Sequence, residues 1–425
     1  MGPAALGQGP LILELKRSFM ISVTDALARV TAAFAPLPAE TVGVADCLGR
    51  VLAEPLVART TQPPNNVSAM DGYAVRADDF LRRLPIRLHV IGEVAAGQGF
   101  RGAVHPGEAV RISTGATMPP GTNAVAVQEI AQLDADGYIT VGEVVPAARH
   151  VRPAGLDFTA GQICLPAGKT LTARDVGLIA AMNVPWLRVR RRPRVAILAT
   201  GNEVVLPGEP LGAHQIVSSN TLSLMALVTA SGGVPVHLGV AQDNAESLLA
   251  CAAAAEGTDL LVTTGGASIG DHDLVRRVLG RQGGTVDFWR VAMRPGRPLL
   301  FGRVGSVPLL GLPGNPVSSL ITALLFVRPA MRVLLAQPPE TGLTPTARLG
   351  LPLPVNDERQ AYLRASLGWD AEGELTATPF AQQDSAMLST LASADCLIVR
   401  PPGAKPAAAG DRVEILRLDG GCLST

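Results

Sequence analysis

Short apolar runs closed by glycine or proline alternate with longer stretches of helical period between residues 195 and about 336. Residues 195–199, 234–240, 260–263 and 309–312 read as buried strands, and 222–231, 245–255 and 317–335 as helices. That alternation predicts a mainly parallel sheet with right-handed crossovers. Upstream, residues 22–35 have an amphipathic helical period with Thr24 as a candidate cap and Leu27 and Val30 on one face. A second helix is expected around 47–52, then an extended proline-rich passage at 61–66. Between 86 and 145 the pattern shifts to short strands, at 88–91, 109–112, 124–128 and 138–141, separated by glycine and proline. Residues 172–182 form a helix behind a threonine cap. Residues 346–418 are strand-like, with turns at Asn356-Asp357 and at Pro401-Pro402-Gly403, and predict a small β-barrel or sandwich.

Candidate chemistry concentrates between Asp259 and Pro316. A strand runs into Thr264-Gly265-Gly266-Ala267-Ser268-Ile269-Gly270, then Asp271-His272-Asp273 and a helical stretch. A second turn, Gly311-Leu312-Pro313-Gly314-Asn315-Pro316, opens the helix at 317–335, with Asn315 as cap and Pro316 at its first position. Glycine-rich turns between strand and helix present backbone N–H groups and the positive helix end to an oxyanion. In one open sheet both turns would lie at the carboxyl ends of strands, where ligands bind. Arg290, Arg294 and Arg297 add permanent charge with bidentate donors. Asp271 and Asp273 oppose that charge, and acid beside phosphate implies a divalent metal between them.

Composition removes several classes. The formal charge is zero, from 36 basic and 36 acidic residues, so nothing global points to nucleic acid or a membrane surface. The five cysteines are widely spaced without a Cys-x-x-Cys pair, which argues against a disulfide framework or a zinc site. No apolar run reaches membrane-spanning length without charge, proline or polar breaks. In the first twenty residues the charges follow the apolar patch, the wrong order for a signal peptide, so a cytoplasmic location is expected. Either Met1 or Met20 can be the start, with 1–19 a loose tail. Five arginines between 188 and 194 read as a solvated connector.

Taken in order, Ser-Ala-Met-Asp-Gly-Tyr-Ala (68–74), Ser-Thr-Gly-Ala (113–116), Thr-Gly-Asn-Glu (200–203), Thr-Gly-Gly-Ala-Ser-Ile-Gly (264–270), Arg-Pro-Gly-Arg-Pro (294–298) and Gly-Leu-Pro-Gly-Asn-Pro (311–316) resemble one family over roughly residues 20–420. It is the molybdopterin molybdenumtransferases, MoeA in bacteria and the E domain of gephyrin in animals. The resemblance implies an α/β multidomain protein. A three-layer α/β molybdopterin-binding domain (191–337) would be joined by a β-rich insertion (63–154), a discontinuous helical subdomain (20–62 and 155–190) and a C-terminal β-barrel (338–425). It implies insertion of molybdate into adenylylated molybdopterin with release of AMP, Mg2+ as cofactor, and a homodimer with the site at the subunit interface.

Carried over by position, the resemblance gives Asp71, Glu203 and Asp273 as magnesium ligands and, with Arg290 and Arg294, as the catalytic set. Substrate contacts would come from Thr114, Arg152, Asp157, Gly265, Gly266, Ser268, Arg297, Pro313, Gly314 and Pro316. Arg359 and Ser385 would be contributed by the partner subunit's barrel. The chain departs from many members in having arginine rather than lysine at 290, 294 and 297. It also has Asn202, Ser218 and Asn244 where acidic residues are common. The transferase remains the leading reading, and the alternative that those departures raise is a slow or non-catalytic molybdopterin carrier of the same fold.

Overall fold

The computed structural model describes residues 20–81, 84–242, 245–265, 285–338 and 345–418. It divides into two compact units, Thr41–Val189 and a second made of Met1–Glu40 with Arg190–Thr425. The first helix, α1 (Val23–Ala32), belongs to the second unit. Its cap is Ser22 rather than Thr24: the Ser22 hydroxyl accepts the N–H of Asp25 at 3.0 Å. The expected grouping put this helix with residues 155–190. Val23, Ala26 and Val30 instead bury themselves in the core of the second unit, beside Phe326 and Met331.

In the first unit, a six-stranded sheet forms from β1 (Gly72–Val75), β2 (Ile86–Val94), β3 (Glu108–Ile112), β4 (Ala124–Val127), β5 (Ala131–Leu133) and β6 (Tyr138–Val141). Their order is β4-β1-β3-β2-β6-β5, antiparallel except for the β2–β3 pair. Alternate side chains of β1 serve separate cores: Tyr73 and Val75 pack with Leu88 and Ile139, and Ala74 packs with Val94 and Val110. Gly72 is obligatory here, because a Cβ would lie 2.2 Å from the carbonyl oxygen of Ala126.

A third core joins Cys47, Leu52 and Leu56 to Phe158, Leu171 and the buried face of α2 (Ala173–Ala181). The helix expected at 47–52 is absent. Only a 3-10 turn, Val44–Asp46, forms; Gly49 turns at φ +71°, and Leu52 bridges to Val189. The Thr172 cap holds: its N–H and hydroxyl both donate to Asp175 at 2.8 Å.

The second unit is built on a sheet of β7 (Arg194–Thr200), β8 (Val234–Ala241), β9 (Leu260–Thr264), β10 (Thr285–Arg290), β11 (Pro298–Val304) and β12 (Val307–Leu312), in the order β8-β7-β9-β12-β11-β10. The four strands β8, β7, β9 and β12 are parallel, and β11 and β10 add on antiparallel. Both faces are covered. Val195 and Ile197 face one core with α1, α3 (Asn220–Ala230) and the helix after β12; Ala196 and Leu198 face another with Ala241 and Ala255.

The helix after β12 runs as α4 (Pro316–Thr322), a π stretch (Ala323–Val327) and α5 (Arg328–Leu334). By length and composition the whole segment could cross a bilayer, yet 61% of its most apolar window is buried inside the protein. The π stretch shifts the helical register by one residue, so that Val317 and Ile321 before it and Ala330 and Met331 after it reach the same core.

The C-terminal strands β13 (Thr346–Leu349), β14 (Gln360–Trp369), β15 (Leu375–Pro379), β16 (Cys396–Arg400) and β17 (Arg412–Arg417) close on themselves through β14–β16 pairing, giving a five-stranded barrel. A two-residue strand, Met293–Arg294, pairs in parallel with β14 at Gln360 and Ala361. Tyr362, Leu391 and Leu397 of the barrel join the α/β core. The arginine-rich segment before β7 is anchored rather than only solvated. Arg191 grips Asp259 with two bonds, of 2.8 and 3.0 Å, and Arg190 donates to the carbonyl of Leu37.

Candidate functional site

Parallel pairing of β9 with β12, Thr263 opposite Gly311 and Thr264 opposite Leu312, brings the two glycine turns together at the carboxyl ends of their strands. Gly265 has φ +90°, and a Cβ there would lie 2.4 Å from the carbonyl oxygen of Thr200. One at Gly314 would lie 3.5 Å from the Cα of Gly265, so the turns cross at van der Waals distance.

Asn220, at the start of α3, ties them. Its amide nitrogen donates to the Thr264 hydroxyl at 2.8 Å and to the carbonyl of Gly314 at 2.7 Å. The Thr264 hydroxyl also lies 3.4 Å from the Pro313 carbonyl and from the Ser319 hydroxyl. Asn220 and Ser319 carried no motif that marked them; their role is visible only once the strands pair. Gly266, Ser268 and Asp273 lie outside the described residues.

Glu203 follows β7 in an exposed position, and the carbonyl of Glu203 accepts the N–H of Ile216 at 2.8 Å. Pro316 opens α4, as expected, but Asn315 does not cap it with its side chain. The Asn315 amide donates instead to the Ser385 hydroxyl at 3.0 Å, and the Ser385 carbonyl accepts the N–H of Val317 at 3.1 Å. Ser385 therefore reaches the Pro313–Pro316 turn of its own chain. Docking of the barrel on the α/β core, through Tyr362, Leu391 and Leu397, places this loop there.

Arg359 pairs with Asp357 two residues away, at 2.6 Å, and Arg294 of the α/β segment reaches the same carboxylate at 3.6 Å. The Arg359 guanidinium and N–H, followed by charge from Arg294, hold the Asp357 carboxyl below its usual range. Arg290 lies over the Trp289 ring at 4.5 Å, and Arg297 is exposed.

An arginine on a small domain is expected to be solvated, and Arg364 is not. It is 1% exposed in β14, and it donates to Gln383 Oε1 at 3.3 Å and to the Met387 carbonyl at 3.0 Å. Gln383 returns a bond of 2.9 Å to the Arg364 carbonyl. Arg364 thus braces the loop that carries Ser385. An arginine between Leu363 and Ala365 in an apolar strand was the available signal.

In the first unit, Ser68 pairs with Val151 and its N–H donates to Ala116, which sets residues 68–71 beside 113–116 and Arg152. Asp71 Oδ1 accepts the Thr114 N–H at 2.6 Å and the Thr114 hydroxyl at 3.0 Å. Those bonds lower the pKa of the Asp71 carboxyl and leave it an exposed anion. Arg152 is exposed in the short strand Val151–Arg152, and Asp157 is exposed in the loop beyond it. Among the described residues no three His, Cys, Asp or Glu side chains gather as metal ligands.

Three family descriptions match nearly end to end. These are the MoeA N-terminal region (domain I and II) over residues 21–183, a probable molybdopterin binding domain over 196–333, and the MoeA C-terminal region (domain IV) over 346–418. The molybdopterin molybdenumtransferase of Haemophilus influenzae is 33% identical, covering 89% of this chain and 94% of its own. That of Bacillus subtilis is 31% identical over 95% of each. The crystal structure of a molybdopterin biosynthesis MoeA protein from Pyrococcus horikoshii superposes with a TM-score of 0.82 at 30% identity, covering 95% of this chain and 100% of that one.

Proposed function

Because this chain belongs to the MoeA family of molybdopterin molybdenumtransferases, and is a transferase of molybdenum cofactor biosynthesis, we propose that it inserts molybdate into adenylylated molybdopterin and releases AMP. The observation that carries this reading is the crossing of the two glycine turns, locked by Asn220, with an arginine-rich segment and the Ser385 loop in the same unit.

Molybdate and the dithiolene it meets are both anionic, so fixed cations must offset their repulsion. Arg290, Arg294 and Arg297 supply that charge, and the Gly265 and Gly314 turns let substrate approach the backbone closely. No protein nucleophile is required.

The donor chemistry suits Mg2+: Glu203 is exposed, and Asp71 commits only Oδ1 to Thr114. Glu203 and Asp273, with the partner subunit's Asp71, would hold the ion, which when bound would polarise the phosphate bond of the adenylylated substrate. The Thr114 bonds lower the Asp71 pKa further and so favour the carboxylate form that this role needs. We take the working form as a cytoplasmic homodimer. Exposed Leu211, Ile216, Val217 and Leu222 near the cleft support self-association. Adding molybdate and Mg2+ to the protein with adenylylated molybdopterin should release one AMP per molybdenum cofactor formed. Tight binding of that substrate without AMP release would favour the carrier instead.

A further inference from the structure

Thr200 ends β7 directly behind the crossing of the glycine turns and is 6% exposed. Among the described residues its hydroxyl has no hydrogen-bond partner. The neighbouring Thr264 makes a contrast, since its hydroxyl is engaged by Asn220 and approached by Pro313 and Ser319. A buried hydroxyl left unpaired is costly, and such groups are rare in folded proteins.

Nothing in the strand demands one. The preceding residues of β7, Val195-Ala196-Ile197-Leu198-Ala199, are all apolar, and valine has the same branched shape as threonine. The orphan oxygen also faces the turn: it would lie 3.0 Å from a Cβ on Gly265, and Gly265 has none. The absent side chain leaves open the approach from the turn toward this hydroxyl.

We propose that the Thr200 hydroxyl is kept unpaired in the free protein to hydrogen-bond a polar atom of bound molybdopterin, making Thr200 a substrate-contacting residue of the cleft. This rests on the reading of the cleft as the molybdopterin site. Binding would then satisfy a group that folding leaves unsatisfied, so part of the affinity comes from a defect built into the free state.

The test uses the full chain and anaerobic titration with molybdopterin, comparing wild type, Thr200→Val and Thr200→Ser, with the melting temperature of each ligand-free protein. Thr200→Val should melt at or above the wild-type temperature while its Kd for molybdopterin rises about tenfold, the size of one lost hydrogen bond. Thr200→Ser should bind within about threefold of wild type, because it keeps the hydroxyl. Unchanged affinity in Thr200→Val overturns the proposal. So does a fall in its melting temperature with equal loss of binding in both variants, since that would mean the hydroxyl serves the fold. Absence of molybdopterin binding by the wild-type chain overturns the molybdopterin reading itself, which keeps the two failures distinct.

Discussion

Arg364 and Arg294 lie in one compact unit and carry the same guanidinium, yet their surroundings give them opposite tasks. Arg364 is almost wholly buried, and its guanidinium bonds go to backbone carbonyls and an amide oxygen of residues 382–387. Burial depresses its pKa, with some opposing help from Asp384. The side chain of Arg294 is 50% exposed and meets one carboxylate at 3.6 Å, a geometry worth little in water. The first is part of the fold, and the second keeps its charge available to a ligand. Residue type alone distinguishes neither task; burial and partners do.

The sharpest break of that contrast is Arg364→Met. It should cost about 3 kcal/mol or more, because several carbonyl acceptors and Gln383 lose their donor. Chemical denaturation would measure it, and a stability within error of wild type would erase the distinction. Gly265→Ala comes next. Strain at φ +90° and the clash with Thr200 should cost about 1–3 kcal/mol and weaken molybdopterin binding more than Gly239→Ala, where a Cβ meets nothing. Binding titrations of the two variants decide it.

Asp175 offers a smaller, pH-dependent effect in the first unit. Burial alone would raise its pKa, but Lys169 at 2.8 Å and the Thr172 donors prevail and lower it. A depressed carboxylate stabilises the folded state above its unfolded pKa of about 3.9, and that stability is lost as pH falls through the folded value. Asp175→Asn should therefore cost about 1 kcal/mol at pH 7 and flatten the acid limb of a stability–pH curve. The smallest effect belongs to Asp357→Asn. Stability should change by less than about 1 kcal/mol. Molybdate affinity at low salt should rise as Arg294 loses its internal anion, a gain that should shrink as salt is added.

Where hydrophobic spacing alone decides structure, the chain could be read directly. The strand Tyr138–Val141 and the helix Ala245–Ala254 lie within a residue of where the pattern put them. The helix expected at 47–52 failed because an unmarked left-handed glycine and a bridge to Val189 outweigh a short local period. The π stretch was illegible since Ala323–Val327 is as apolar as its flanks.

In the site, glycines and arginines announced themselves by composition. Asn220, Asp357 and Arg364 did not, because their partners are distant in sequence or depend on barrel closure. Asp357 stood in plain view as a turn residue, and only the pairing of Met293–Arg294 with β14 turns it into a neighbour of Arg294.

That two-residue pairing has a consequence for modularity. The barrel borrows backbone from a segment that precedes it by some fifty residues or more, and that same segment carries the charged side chains of the α/β unit. A fragment starting at the barrel would leave Gln360 and Ala361 without this ladder, and a transplanted barrel would have to bring the borrowed stretch with it. Recombination at the apparent seam is thereby discouraged, and the two parts are bound to diversify together.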